Sequence, residues 1–363
     1  MRKIKPELTT DIQKFVNGAN PGSAAPFRVD EYRELVEQVA QLSYLNKDYL
    51  LFFRGQDKDF QNKAGGSTFY PSIYRDDNLP SREIQYRFEV LSSAAKQLVK
   101  LLSDNHVFGA EDVKRKEQIQ WSILQHYRVC ETPLLDFSHS LRVACSFAQL
   151  DNENPEGFIY AFALPYITNR ISINSEHDLI NIRLLSICPP KALRPHFQEG
   201  YLAGTTDITS VYDNKSELDF SNRLVAKFSI PNDKSFWGKR DIAISKDLLY
   251  PEQDEIAEIC KSIQTGLTTN LQPGLMGEYI TAWVKLEQYI LTTAHQYSNK
   301  LLSIRQAISI LSKADPQFVS IEHQVQSLRI FRNELVHHPE RVKADDIQKK
   351  KEQVDSLISS LKL

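Results

Sequence analysis

Apolar residues recur through the first 263 positions in two rhythms, helical spacing and unbroken strand-like runs, and beyond residue 274 in the helical rhythm alone. From Asp30, the residues Tyr32, Leu35, Val36, Val39 and Leu42 fall at helical spacing, with Asp30 at the N-cap position. Leu50, Leu51, Phe52 and Phe53 form a run that predicts a buried strand ending at Arg54. A long helix is predicted from Ser81, with Gln85 close to a Ser-x-x-Gln capping pattern, through Phe88, Leu91, Ala94, Ala95, Leu98 and Leu101. Residues 117–127 predict a further helix, 134–137 a short strand and 140–150 a helix. Residues 157–164 and 224–230 predict buried strands, stopped by Pro165 and Pro231. Helices early and strands later predict an α+β domain.

Breakers mark the borders. Residues 1–28 carry Asn17-Gly18, Asn20-Pro21-Gly22 and Ala25-Pro26, turn-forming pairs that predict an irregular lead-in to a domain at 29–263. Residues 264–274 collect linker residue types, including Gly266, Pro273 and Gly274. Four helical runs follow within 275–363, at 276–298, 300–313, 317–337 and 343–361, and their short connections favour an antiparallel bundle. Trp283, Leu286, Tyr289, Ile290, Leu301, Ile304, Ile308 and Leu311 supply its core stripes, and Lys349-Lys350-Lys351 reads as a solvated face.

Composition narrows the classes. The 363 residues are 41% apolar and 25% charged, which describes a globular protein that folds in water. No segment reaches the ~20 apolar residues of a membrane helix. The basic residues Arg2, Lys3 and Lys5 have no apolar stretch behind them, so no secretory signal is expected and the cytoplasm is the expected location. A net charge of -2 gives no global basic field for nucleic acid. Cys130, Cys145, Cys188 and Cys260 form no Cys-x-x-Cys pair, so neither a zinc site nor a disulfide framework is expected.

Three polar clusters interrupt apolar sequence in the first domain: Phe53-Arg54-Gly55-Gln56, Gln125-His126-Tyr127 and Leu134-Leu135-Asp136-Phe137-Ser138. Polar residues in such runs are costly unless something there needs them, and a strand-end arginine presents a guanidinium to a ligand. Further clusters follow: Tyr70-Pro71-Ser72-Ile73 with Arg75, Ala144-Cys145-Ser146-Phe147-Ala148, Gln198-Glu199-Gly200 and Phe228-Ser229-Ile230-Pro231. In this order they resemble the FRG domain over about residues 30–262. Two departures stand out. Arg128 follows Gln125-His126-Tyr127 where the family reads glycine, and Thr132-Pro133-Leu134 lacks the arginine usual before Leu-Leu-Asp.

The resemblance implies a distant relation to ADP-ribosyltransferase folds, in which polar residues on successive strands hold and cleave NAD. Carried over position by position, it puts Arg54 on a phosphate or ribose, with Gly55 and Gln56 beside it. Asp136 and Ser138 match the second-strand cluster, with His126 and Tyr127 in the cluster before it. Gln198 or Glu199 falls where such enzymes stabilise the ribosyl cation and orient the acceptor. Cleavage of a nicotinamide–ribose bond passes through an oxocarbenium-like state that a carboxylate stabilises, while cationic donors hold the pyrophosphate; no metal is required. The same residues also fit structural readings. Arg54 and Asp136 then form an internal ion pair, His126 and Tyr127 a satisfied core pair, and Glu199 an exposed loop residue. Phe69, Tyr70 and Tyr74 divide likewise between ring stacking and core packing.

The other concentrated signal is Phe331-Arg332-Asn333-Glu334-Leu335-Val336-His337-His338-Pro339. It resembles the Arg-x4-His motif of HEPN domains, small helical bundles that are often dimeric and frequently metal-independent ribonucleases. At about 100° per residue Asn333 and His337 share a face, and Arg332 lies about 140° from His337. In the ribonuclease reading His337 is the acid or base at a ribose 2′-hydroxyl and Arg332 stabilises the attacked phosphate. In the structural reading the histidines cap the helix end before Pro339. One motif per chain favours a homodimer built on the bundle.

Three functions are therefore open. The first is a toxin-like or defence-associated effector whose FRG domain takes NAD as substrate, with RNA or protein as candidate acceptor and a neutralising partner as candidate regulator. The second is a metal-independent HEPN ribonuclease with the FRG domain as ligand sensor. The third is a non-enzymatic module that binds a nucleotide or a partner and dimerises through its bundle.

Overall fold

The computed structural model describes all residues except 76–80, 209–211, 213, 240–241, 271–272, 298–301, 338–341, 343 and 362–363; it leaves out the side chains of 81–82, 266, 268–270, 273–274, 317, 337 and 344. Contacts divide the chain into two units, Met1–Ile263 and Gln264–Leu363. Among the described residues no helix is long and apolar enough to cross a membrane.

The first unit is α+β. Its strands are β1 (Phe27–Arg28), β2 (Leu50–Gln56), β3 (Leu135–Ser138), β4 (Glu156–Leu164), β5 (Ile171–Asn174), β6 (Leu179–Arg183), β7 (Gly200–Gly204) and β8 (Leu224–Pro231). Its helices are α1 (Thr10–Val16), α2 (Tyr32–Leu45), α3 (Ser81–Asp104), α4 (Ala110–Arg115), α5 (Glu117–His126), α6 (Leu141–Gln149), α7 (Arg194–Phe197) and α8 (Lys246–Leu249). A further helix, α9 (Glu255–Asn270), begins in this unit and ends in the next. The strands form one mixed sheet in the order β1-β8-β4-β2-β3-β7-β6-β5, antiparallel except where β1 meets β8.

Both faces of the central strand β4 are covered. Ile159, Ala161 and Ala163 pack with Leu51, Phe53, Ala144 and Val225 on one side. Tyr160, Phe162 and Leu164 pack with Phe52, Phe69, Phe137 and Phe220 on the other. A strand buried twice over reads as an unbroken apolar run. Full burial of a side chain such as Phe162 contributes about 1.5–3 kcal/mol.

Helix α6 lies against β2 and β4 at backbone distance. Ser140 caps it by accepting from the Val143 amide at 3.4 Å. A Cβ at Gly55 would stand 1.8 Å from the Ala144 carbonyl oxygen, and one at Gly157 would stand 2.6 Å from that of Ala148. The seat of α6 is what requires glycine at 55.

Several boundaries differ from expectation. The supposed lead-in carries α1 and β1: Ile12 joins the core and Phe27 packs against it. Glu31, not Asp30, is the N-cap of α2, and Asp30 pairs with Arg28 at 2.7 Å. Residues 264–270 of the expected linker are helical: Ile256, Ile259, Cys260 and Ile263 are buried, and α9 continues past them to Asn270. The side chain of Ser81, on which the cap reading rests, is not described.

The second unit is helical, with α10 (Pro273–His295), α11 (Ile304–Ala314), α12 (Pro316–His337) and α13 (Ala344–Ser360). Its core takes Trp283, Leu286, Ile290, Ile308, Leu311, Phe318, Val325, Leu328 and Val354. Ser303 and Gln306 close a capping box at the start of α11. Leu301 falls outside the described residues.

Candidate functional site

The sheet is interrupted at its centre. β2 pairs with β4 from Leu50 to Gln56, but it pairs with β3 only where Phe53 faces Ser138. Beyond that point the Arg54 guanidinium replaces the ladder, Nη1 donating to the Asp136 carbonyl oxygen at 2.7 Å. Two cavities flank the interruption. One, of about 370 Å³, is lined by Gln125, His126, Asp136, Ser138 and Gln198; the other, of about 880 Å³, by Gln56, Asp57, Phe60, Gln61, Tyr70 and Lys215. Arg54, Gly55, Arg75, Arg128, Phe147 and Tyr250 line both, so they are lobes of one cleft.

Asp136 is the anchored anion of the smaller lobe. Its carboxylate accepts from Gln125 Nε2 at 2.7 Å and meets His126 Nδ1 at 3.2 Å, while about a third of the side chain, 33%, stays accessible. The Gln125 amide is oriented from behind, because its oxygen accepts from the hydroxyls of Thr132 and Ser72. Burial alone would raise the Asp136 carboxyl, yet the hydrogen bond and charge of His126, then Gln125 and Arg54, hold it below the ordinary carboxylate range. Burial lowers the Arg54 guanidinium to about 10, against the upward pull of Asp136 and with the neighbouring charges of Arg75 and Arg128 adding to the fall. Arg54 remains a cation at neutral pH.

The other residues singled out in the sequence take mixed places. His126 Nε2 is shut off from solvent without a hydrogen-bond partner, and the ring packs on Gly200, where a Cβ would stand 3.1 Å from Cε1. Ser138 Oγ donates to the Gln198 carbonyl at 2.9 Å and accepts from the Ser140 amide at 3.1 Å, so its hydroxyl ties a turn. The buried Gln198 donates from Nε2 to the Leu249 carbonyl at 2.7 Å. Gln56 lines the larger lobe with Oε1 buried and unpartnered. Phe69 and Tyr74 are core residues, whereas Tyr70 faces the larger lobe with Lys215 Nζ 4.8 Å from its ring centre.

Two expected residues stand apart from the cleft. Glu199 is exposed, has φ 45° and lines neither lobe. The buried Tyr127 also lines neither; its hydroxyl donates to Asp254 Oδ2 at 2.7 Å, and burial with that carboxylate pushes the phenol far up. The same Asp254 accepts from the Leu193 and Arg194 amides at 3.0 and 2.8 Å, and from Ile256 and Ala257 at the start of α9 at 3.1 Å. In the second unit Arg332 Nη1 donates to Asn333 Oδ1 at 3.0 Å on α12. The side chain of His337 lies outside the described residues.

Of the six residues that line both lobes, four were not assigned to the site from sequence: Arg75, Arg128, Phe147 and Tyr250. The first three sit inside or beside the polar clusters, and Arg128 was visible only as a departure from a pattern. Tyr250 carried no signal, since it follows Arg128 by 122 positions; Arg128 Nη2 donates to its hydroxyl at 3.3 Å. Phe147 meets the Tyr250 ring edge-on at 6.2 Å, and Arg194 stands 5.0 Å from the centre of that ring.

The wall of the larger lobe rests on a buried pair that nothing in the sequence marked. Lys227 Nζ and Asp59 Oδ2 are 2.8 Å apart with side chains 1% and 8% exposed. Ser67 Oγ accepts from the same ammonium at 2.8 Å, and Tyr160 donates to Asp59 Oδ1 at 3.0 Å. Arg54, Tyr160 and Lys227 are successive cross-strand neighbours on β2, β4 and β8. The pair thereby pins the segment that carries Phe60 and Gln61 to the sheet.

The first unit is thus an α+β domain whose sheet parts around an arginine and an ionised carboxylate at a two-lobed cleft. Residues 50–157, from β2 to the start of β4, match the FRG domain family. That span holds Arg54, Arg75, Gln125, His126, Arg128, Asp136 and Phe147, while Tyr250 lies beyond it. Comparison with curated proteins and with solved structures gives no match.

Proposed function

We propose that the Met1–Ile263 unit binds NAD in the cleft and breaks its nicotinamide–ribose bond, as an ADP-ribosyltransferase or NAD glycohydrolase. The FRG match fits a defence or effector role in general terms. One observation carries the reading: an accessible carboxylate, held ionised by two donors, lies in a cleft also lined by three arginines. As the bond from ribose C1′ to nicotinamide breaks, the electron pair leaves with nicotinamide and positive charge grows on the ribosyl group. Asp136 is the anion that faces this charge, in the role first expected of Glu199. Arg54, with one donor fixed on the Asp136 carbonyl, offers its remaining N–H groups to the pyrophosphate. His126 and Gln125 are positioning residues for Asp136. Water or an acceptor nucleophile then takes the ribosyl carbon.

The test is incubation of the purified chain with NAD, following free nicotinamide. Asp136→Asn and Arg54→Ala are each expected to lower release by about 100-fold, the scale of losing one electrostatic contact to a transition state. Release that persists at the wild-type rate in Asp136→Asn overturns the reading.

The ribonuclease reading of the second unit keeps one supporting observation, the Arg332 guanidinium oriented by Asn333 on the helix that ends at His337. In that reading a homodimer pairs two such motifs, His337→Ala abolishes RNA cleavage and Asp136→Asn spares it.

A further inference from the structure

One wall of the larger lobe is the segment that leaves β2 and returns at Tyr70, and its place is fixed. Gln61 pairs with Ser67 across the loop, and the Thr68 amide donates to the Phe60 carbonyl at 2.9 Å. Asn62 closes the tip, its amide donating to the Gly66 carbonyl at 2.8 Å and its Oδ1 accepting from the Gly66 amide at 3.0 Å. Gln61 Nε2 donates to Asp59 Oδ2 at 2.8 Å, the oxygen that pairs with the buried Lys227. A buried ion pair adds little net stability; what it does here is hold the loop in position. Phe60, 47% exposed, and the half-buried Tyr70 line the lobe from the two arms of this loop. An aromatic ring left open to water on a fixed wall suits a planar ligand ring.

The polar groups of the same wall accept hydrogen bonds. Gln56 Oε1 is buried without a partner. Asp57, the first residue past β2, is exposed and lines the larger lobe but not the smaller. Its carboxylate takes part in no hydrogen bond or ion pair among the described residues. The other charged groups of the lobe have contacts of their own. Asp151 pairs with Lys246, Arg54 donates to the Asp136 carbonyl, Arg75 Nε donates to the Tyr70 carbonyl at 3.1 Å, Arg128 donates to the Tyr250 hydroxyl, and Lys215 stands over the Tyr70 ring. A ligand part that matches this wall therefore brings a planar ring and hydrogen-bond donors.

With Asp136 facing the reacting ribose in the smaller lobe, the far half of the dinucleotide passes the shared neck into the larger one. That half is adenosine, with a planar base, an amino group and two ribose hydroxyls. We infer that the larger lobe seats this adenosine, its base against Phe60 and Tyr70 and its ribose hydroxyls on Asp57, and that Asp57 selects a free 2′-hydroxyl over a 2′-phosphate. The inference rests on the proposed reading of the cleft and adds to it the choice between NAD and its 2′-phosphorylated form. The two oxygens of a carboxylate suit a vicinal diol, whereas a phosphate on the same ribose meets that carboxylate as a like charge.

The test is calorimetric titration of the full chain with ADP-ribose and, separately, with ADP-ribose 2′-phosphate. Neither compound contains the nicotinamide–ribose bond, so binding is read apart from cleavage. ADP-ribose is expected to bind at least about tenfold more tightly than its 2′-phosphate. Asp57→Asn is expected to reduce that preference to about twofold, and Phe60→Ala to weaken ADP-ribose binding about tenfold. Both side chains are exposed, so neither variant is expected to shift the melting temperature by more than about 2 °C. Equal affinity of the wild type for the two compounds, a preference unchanged in Asp57→Asn, or ADP-ribose affinity unchanged in Phe60→Ala overturns the inference. Nicotinamide release that Asp136→Asn abolishes, with no preference between the two compounds, overturns it while leaving the proposed function intact. A preference that Asp57→Asn removes, with no cleavage of NAD, sustains the adenosine seat and removes the proposed reaction.

Discussion

Asp136 makes the stability of the fold depend on pH in a definite direction. Its carboxyl is held below the ordinary range in the fold, so the unfolded chain binds more protons at that position than the folded one. The stabilisation is therefore complete above the unfolded value near ~3.9 and is lost as pH falls through the lower folded value. Denaturant unfolding of the wild type and of Asp136→Asn is expected to show a wild-type advantage at neutral pH that shrinks in acid below about pH 4. The side chain is partly accessible, so solvent screening keeps the effect modest. Parallel pH profiles for the two proteins would mean that the Gln125 and His126 contacts do not favour the ionised form. Arg54 and Asp136 were legible in the sequence for the reason that makes them useful: a charged group in an apolar strand is expensive without a role. Glu199 looked equally suitable from its neighbours, but at its left-handed position before β7 it lines neither lobe although Gln198 and Gly200 on either side line the smaller one, and no residue pattern announces such a turn.

At the scale of elements, two glycines in helix-associated positions separate packing from propensity. Gly55 faces backbone, the Ala144 carbonyl oxygen lying 1.8 Å from where a Cβ would be, so no rotamer change relieves the clash and β2 must part from α6. Gly55→Ala is expected to cost about 3 kcal/mol or more. Gly277 is exposed on α10 with nothing within 4 Å of its would-be Cβ, and Gly277→Ala is expected to gain about 0.8–1 kcal/mol from helix propensity. Thermal unfolding of the two variants is expected to shift in opposite directions, and a neutral Gly55→Ala would show that α6 seats more loosely than described. The elements read correctly from sequence are those whose own pattern suffices: β4 and β8 as continuous apolar runs, and α2, α5, α6 and the four bundle helices by their periodicity. β5, β6 and β7 escaped because they are short, and Gly200–Gly204 is rich in small residues, so their pairing depends on neighbours distant in the chain. The same holds for α1, which has seven residues and buries only Ile12.

At the scale of the whole molecule, the border at Ile263 falls inside α9. Asp254 caps the start of α9 while accepting from Tyr127, the residue just before Arg128 of the cleft, and the helix runs on to Asn270. A cut at the border would leave the buried Ile259, Cys260 and Ile263 on a frayed last turn, whereas a fragment of residues 1–270 keeps the helix entire. Every lining residue of the cleft precedes residue 251. The 1–270 fragment is therefore expected to unfold in a single cooperative transition and, under the proposed function, to bind NAD as the full chain does. A shorter fragment of residues 1–250 lacks Asp254, leaving the buried Tyr127 hydroxyl and the Leu193 and Arg194 amides without their acceptor. It is expected to melt lower and to bind more weakly, because the end of α5 that presents Arg128 loses its support. Calorimetry on the two fragments checks both statements. Equal affinity in both would free the cleft from Asp254, and loss of binding in the 1–270 fragment would make the helical unit part of the site's integrity.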